Sequence, residues 1–99
     1  MIEIQFKNMY PSTLAKEMVL KRLNPILERF SLIQNNRVYI YVELCTNSDY
    51  NKTDEFSVSL KLSGKDFKNF QIKKSAASLF QAASDLSEIL EVQMKNKLS

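Results

Sequence analysis

Two eight-residue runs in this chain alternate without a fault. In RVYIYVEL, Val38, Ile40, Val42 and Leu44 fall on one side, with Tyr39, Tyr41 and Glu43 on the other. In EFSVSLKL, Phe56, Val58, Leu60 and Leu62 oppose Ser57, Ser59 and Lys61. A period of two is the repeat of a β-strand, whose successive side chains point to opposite faces. Both runs are rich in β-branched or aromatic residues, which suit a pleated, half-buried surface. The polar stretch TNSDYNKTD, residues 46–54, separates them and predicts a loop. A sheet built on these strands has one apolar face that other elements must cover and one polar face that they need not.

The rest of the chain supplies the cover. IEIQF at the start places Ile2, Ile4 and Phe6 on one face of a first strand, which Tyr10 and Pro11 terminate. Ser12 or Thr13 then caps a helix. At about 100° per residue, Ala15, Val19, Leu23, Ile26, Leu27 and Phe30 gather on one side of residues 14–30. Pro25 lies inside this pattern and lacks the backbone donor, which predicts a kink near Lys21–Asn24. Ser63-Gly64-Lys65-Asp66 reads as a hairpin turn, with Gly64 free to take a positive φ. A fourth strand follows over Phe67–Lys73, with Phe70 and Ile72 inward. Ser78 caps a final helix to Lys97, whose inward face is Leu79, Ala82, Ala83, Leu86, Ile89, Leu90 and Met94. Asp85, Glu88 and Glu91 point away from it, and Lys95 and Lys97 at its end suit the helix dipole. The order β-α-β-β-β-α predicts an α+β two-layer sandwich, a four-stranded sheet with two helices packed on one face, as a single domain over 1–99.

Catalytic chemistry finds few residues to use. There is no histidine among the 99 residues, which removes the commonest general base and metal ligand near neutral pH. Cys45 has no histidine partner and reads as a strand-end residue; a lone cysteine also excludes an internal disulfide and suits a reducing compartment. Asp49, Asp54 and Glu55 match no calcium-loop spacing. Asn51-Lys52-Thr53 fits the glycosylation sequon, but MIEIQFKN lacks the pattern of a secretion signal. No run approaches the roughly 18 apolar residues of a membrane span. The expectation is a cytoplasmic binding protein, not an enzyme, with no catalytic residue, metal or cofactor and no membrane partner.

Charge placement points to a binding surface. The net charge is only +3, but residues 12–30 carry net +2 and residues 65–74 net +3, whereas 46–55 carry −2 and the last 25 residues −1. Arg22 and Arg29 fall along one edge of the first helix beside Lys21, a stripe suited to phosphates or to local pairs with Glu17 or Glu28. Tyr39 and Tyr41 lie on the polar sheet face, where they would stack on bases or line a partner or homodimer interface.

IEIQFKN at the start, LERFSLIQNNRVYIYVEL into the second strand, VSLKLSGKDF at the hairpin and SLFQAASDLSEILEVQM in the last helix together resemble the ribosome hibernation-promoting factor family, small ribosome-associated inhibitors of bacteria and plastids. In the last helix, Ser78, Phe80, Ala82, Leu86, Glu88, Leu90 and Gln93 sit where that family places similar residues. The resemblance implies binding to the small ribosomal subunit, with basic helix faces on ribosomal RNA near the decoding region, and so a block on translation under stress. By it, Lys21, Arg22, Arg29, Lys73, Lys74, Lys95 and Lys97 would be the RNA contacts. The chain departs from the family at Ile89 and Val92, where a lysine and an arginine are usual, and in the acidic NSDYNKTDE loop. Two alternatives stand beside it. Lys73-Lys74-Ser75-Ala76 is similar to the basic helix start of double-stranded-RNA-binding domains, though the alanine spacing and strand order differ. The other is a protein-interaction module that dimerises through the tyrosine-bearing sheet face.

Overall fold

A computed structural model of the chain describes residues 2–46 and 54–98. The elements follow in the order β1 (Ile2–Lys7), α1 (Thr13–Arg29), α2 (Ser31–Gln34), β2 (Arg37–Cys45), β3 (Glu55–Gly64), β4 (Phe67–Ala76) and α3 (Leu79–Leu98). The strands form one sheet in the spatial order β1-β2-β3-β4. β1 pairs parallel to β2, as a strand–helix–strand crossover allows, and the remaining pairs are antiparallel. This is the α+β sandwich that the alternation of the two central strands predicts.

The register carries the alternation across the whole sheet. Ile4 pairs with Ile40, Ile40 with Leu60 and Leu60 with Ile72, so one apolar row crosses all four strands. Val42 and Val58 lie beside it and are fully buried, as are Val19 and Leu23 of α1 and Leu86, Leu90 and Met94 of α3. The core is therefore a single layer between the sheet and the two long helices, with polar side chains left on the far face.

Local chemistry sets the helix ends. The Ser12 hydroxyl accepts a hydrogen bond from the Ala15 amide at 3.2 Å, and the Ser78 hydroxyl accepts one from the Gln81 amide at 3.1 Å. α1 and α3 run in the same direction. Arg22 meets Ser84 and Arg29 meets Glu91, so contacts between the helices advance by seven residues on each at a constant offset. Ser84 and Ser87 are buried in this seam, and the Ser87 hydroxyl donates to the Ser84 carbonyl at 2.7 Å.

Several boundaries differ from the sequence reading. α1 runs unbroken through Pro25 from Thr13 to Arg29, as the in-phase apolar stripe implies, and it is extended Phe30, expected as a helical residue, that ends it. The one-turn helix α2 then buries Ile33 under the core, a turn too short to register as helical periodicity. β4 runs on to Ala76, three residues beyond the expected end. At its start an irregularity lies opposite Leu62–Gly64, with Asn69 at φ 60°, and both Phe67 and Phe70 turn inward. Their rings meet edge to face with centroids 5.3 Å apart. Ile89, expected on the buried face of α3, is half-buried at its flank. Asp49, the sequon at Asn51–Thr53 and most of the expected polar loop lie outside the described residues.

Candidate nucleic-acid interface

The sequence pattern nominates seven basic residues, and the fold distributes them over two faces. Lys21, Arg22, Arg29 and Lys95 lie on the outer surface of the helical layer. Lys74 is half-buried on the helix-facing side of β4, alternating with Ile72 and Ala76. Lys97, at the end of α3, places its ammonium 4.9 Å from the centre of the Phe67 ring. Lys73 points to the opposite side of the sheet, where it approaches Glu43 at 3.9 Å. No single flat surface can contact all seven.

The arginines on α1 are engaged with α3. Arg22 donates to the Ser84 hydroxyl and stacks on Phe80, its guanidinium carbon 4.9 Å from the ring centre. Arg29 pairs with Glu91 at 2.5 Å and lies 5.2 Å from the Phe30 ring centre. Lys95, one turn further along α3, joins the same carboxylate at 3.3 Å. The hydrogen bond from Arg29, and then that from Lys95, holds the Glu91 carboxyl below its ordinary value of 4.5. Both cations of this cluster remain about half exposed, so they can still face a ligand. Lys21 is exposed one position from Arg22 and has no acidic partner among the described residues.

Most of this seam escapes the sequence reading. Glu91 appears there only as an outward acid, and Ser84 and Ser87 are unremarked. The available signal is Phe80, Ser84, Ser87 and Glu91 recurring along one flank of α3, a second stripe beside the apolar one.

On the far face, Tyr39 and Tyr41 stand half-buried, as the alternation predicts. Tyr41 carries the ammonium of Lys7 at 5.0 Å from its ring centre. That ring already serves as a platform for a cation, which a stacking base would have to displace. Among the described residues there is no group of three or more histidine, cysteine or acidic side chains placed to hold a metal ion, and no helix is long and apolar enough to cross a membrane.

Four strands in the order β1-β2-β3-β4 with two parallel helices on one face define the architectural class of this chain. Within that class the likeness to solved structures spans nearly the whole chain. The crystal structure of the Thermus thermophilus Protein Y N-terminal domain matches with a TM-score of 0.61 and 17% identity, over 97% of this chain and 94% of that one. A ribosomal subunit interface protein from Coxiella burnetii matches with a TM-score of 0.66 and 15% identity, over 99% and 98%. No family model and no curated protein matches the chain. At these identities the shared property is the fold, and it is the fold that the resemblance to hibernation-promoting factors implies.

Proposed function

We propose that this chain is a ribosome-associated, cytoplasmic translation inhibitor of the hibernation-promoting type, acting by binding and without catalysis. The observation that carries this reading is the near end-to-end fold likeness to Protein Y and to a protein described as a ribosomal subunit interface protein. In this reading the helical layer faces small-subunit ribosomal RNA near the decoding region. Lys21, Arg22, Arg29 and Lys95 supply the phosphate contacts, with Lys74 and Lys97 at the margins. The contact centres on α1 and on the C-terminal turn of α3. Upstream of Lys95 the outer surface of α3 is Asp85, Glu88 and the exposed Val92, which offers phosphates no cation.

Association through phosphates is salt-sensitive, because each neutralised phosphate releases condensed counterions. The test is sedimentation of the full chain with purified small subunits at low and high potassium chloride, alongside Lys21→Glu/Arg29→Glu. Co-sedimentation at low salt, lost at high salt and abolished in the variant, supports the reading. A thermal melt of the variant separates lost binding from lost folding, since Arg29 also ties α1 to α3. If the wild-type protein stays at the top of the gradient under both conditions, the reading is wrong.

A further inference from the structure

The sheet face turned away from the helices is built as a trough. Register sets its walls: Lys7 lies opposite Glu43, Tyr41 opposite Ser59, Ser59 opposite Lys73, and Lys61 opposite Gln71. The hollow has a volume of about 300 Å³. Ser57 and Ser59 form its floor, 2% and 8% exposed although no helix covers them, because the longer side chains around them rise above it. Three lysines and one glutamate line it. Glu43 engages Lys73 only loosely, at 3.9 Å between two side chains that are both more than a third exposed. Lys7 rests on Tyr41, and neither Lys7 nor Lys61 has an acidic partner among the described residues.

We infer that this trough is a second RNA-binding site, taking the sugar–phosphate backbone of a single-stranded segment, on the face opposite the helical layer. It goes beyond the helical-layer reading and uses Lys7, Lys61 and Lys73, none of which belongs to that layer. Charge and span select the occupant. Lys61 and Lys73 are diagonal neighbours on β3 and β4, a like-charge pair that a phosphate between them would relieve. Lys7 lies three strands away from Lys73, roughly 14 Å at a strand spacing of about 4.8 Å. A lone phosphate cannot reach both ends of that span, whereas a few nucleotides of flexible strand can. Lysine ammoniums and serine hydroxyls are point contacts, so this site grips the backbone without reading base edges. A second copy of the chain fits the face poorly. A two-fold would oppose an excess of cations to itself, and the half-buried Tyr39 and Tyr41 are a small apolar core for a stable dimer.

The test is fluorescence anisotropy of the full chain with a labelled 12-nucleotide oligouridine, titrated with potassium chloride. Lys61 and the Lys73 head group are exposed, so Lys61→Gln/Lys73→Gln should fold as the wild type does, checked by its thermal melt. The double variant is expected to weaken oligouridine binding by about tenfold at low salt. It should also reduce the salt slope by about 1.4, or roughly 0.7 for each phosphate left without its lysine. In the Lys21→Glu/Arg29→Glu background, which loses ribosome sedimentation, adding Lys61→Gln/Lys73→Gln is expected to reduce the oligouridine salt slope by the same amount, about 1.4, which separates this proposal from the function reading. Unchanged affinity and slope in the trough variant overturn the second site. So does competition by millimolar inorganic phosphate as effective as that by unlabelled oligouridine, which would make it a lone-anion site. A wild-type dimer that Lys61→Gln/Lys73→Gln converts to monomer in sedimentation velocity would assign the face to a second copy instead, and would equally overturn it.

Discussion

Replacing Gly64 with alanine tests the hairpin that sets the register of β3 against β4. Gly64 has φ 151°, a backbone conformation that side chains with a Cβ rarely adopt. An added Cβ would lie 2.1 Å from Asn36 Oδ1 and 3.0 Å from its Cγ, far inside contact distance. Asn36 has little room to yield: it is 6% exposed, and its amide donates to Asp66 at 3.0 Å on the far side of the turn. The backbone strain costs about 1–3 kcal/mol. Swinging Asn36 aside gives up the bond to Asp66, a further loss of about 0.5–1.5 kcal/mol. Gly64→Ala should therefore destabilise the fold by about 2–4 kcal/mol, read from urea unfolding followed by circular dichroism. Asn36→Ala removes the obstacle but not the backbone strain. In that background Gly64→Ala should cost about 1 kcal/mol less than it does in the wild type. A Gly64→Ala protein within about 0.5 kcal/mol of the wild type, or a cycle with no coupling between the two positions, would falsify this account of the turn.

Glu91→Gln should be less stable than the wild type at neutral pH, with the difference shrinking in acid. The folded-state carboxyl titrates below its ordinary 4.5, so its contribution is fully present above that value and is lost as pH falls through the lower folded one. Thermal melts from pH 7 down to 2 would show the two curves converge. Ser12→Ala removes the hydroxyl that accepts from Ala15 and should cost about 1 kcal/mol in chemical unfolding. Leu60→Ala, at a fully buried site in the row that crosses the sheet, should cost about 2–5 kcal/mol. Val92→Ala, at a side chain 56% exposed on α3, should stay within about 0.5 kcal/mol of the wild type.

The fold was legible because its two central strands are half-buried. A sheet covered on one side imposes a strict alternation, and Val38 to Leu44 and Phe56 to Leu62 record it residue by residue. Reading weakened wherever a single residue changed the phase. Asn69 at positive φ lets Phe67 and Phe70 share a face, which a strict period of two forbids. α2 is a single turn, too short for a 3.6-residue repeat to be counted. The candidate interface was legible in composition but not in partnership. A linear stripe of Arg22 and Arg29 does not reveal that α3 runs parallel at a seven-residue step and brings Ser84 and Glu91 to meet them. Lys73 and Lys74 point to opposite sides of the sheet because β4 runs on past both to Ala76, beyond the end at Lys73 that the sequence pattern predicts.

That partnership sets a condition on the proposed helical-layer interface. Arg29 and Lys95 both spend their charge on one carboxylate, so an incoming phosphate must displace Glu91 or share the two cations with it. The intramolecular competitor is always present at the site, and it is a weak one: exposed ion pairs hold loosely and are screened by salt. Removing its charge should then act in opposite directions on two measurements. Glu91→Gln loses the tie between α1 and α3 and melts earlier, yet it frees two cations and removes one repulsive charge from the path of the phosphate. Its co-sedimentation with small subunits should consequently persist to higher potassium chloride than that of the wild type. Glu91→Lys should extend the trend further, adding a third cation where the carboxylate stood. A Glu91→Gln protein that is folded at the assay temperature and releases from subunits at the same or lower salt than the wild type would mean that Arg29 and Lys95 serve the seam alone. The phosphate contacts of the helical layer would then have to come from Lys21, Arg22 and the margins.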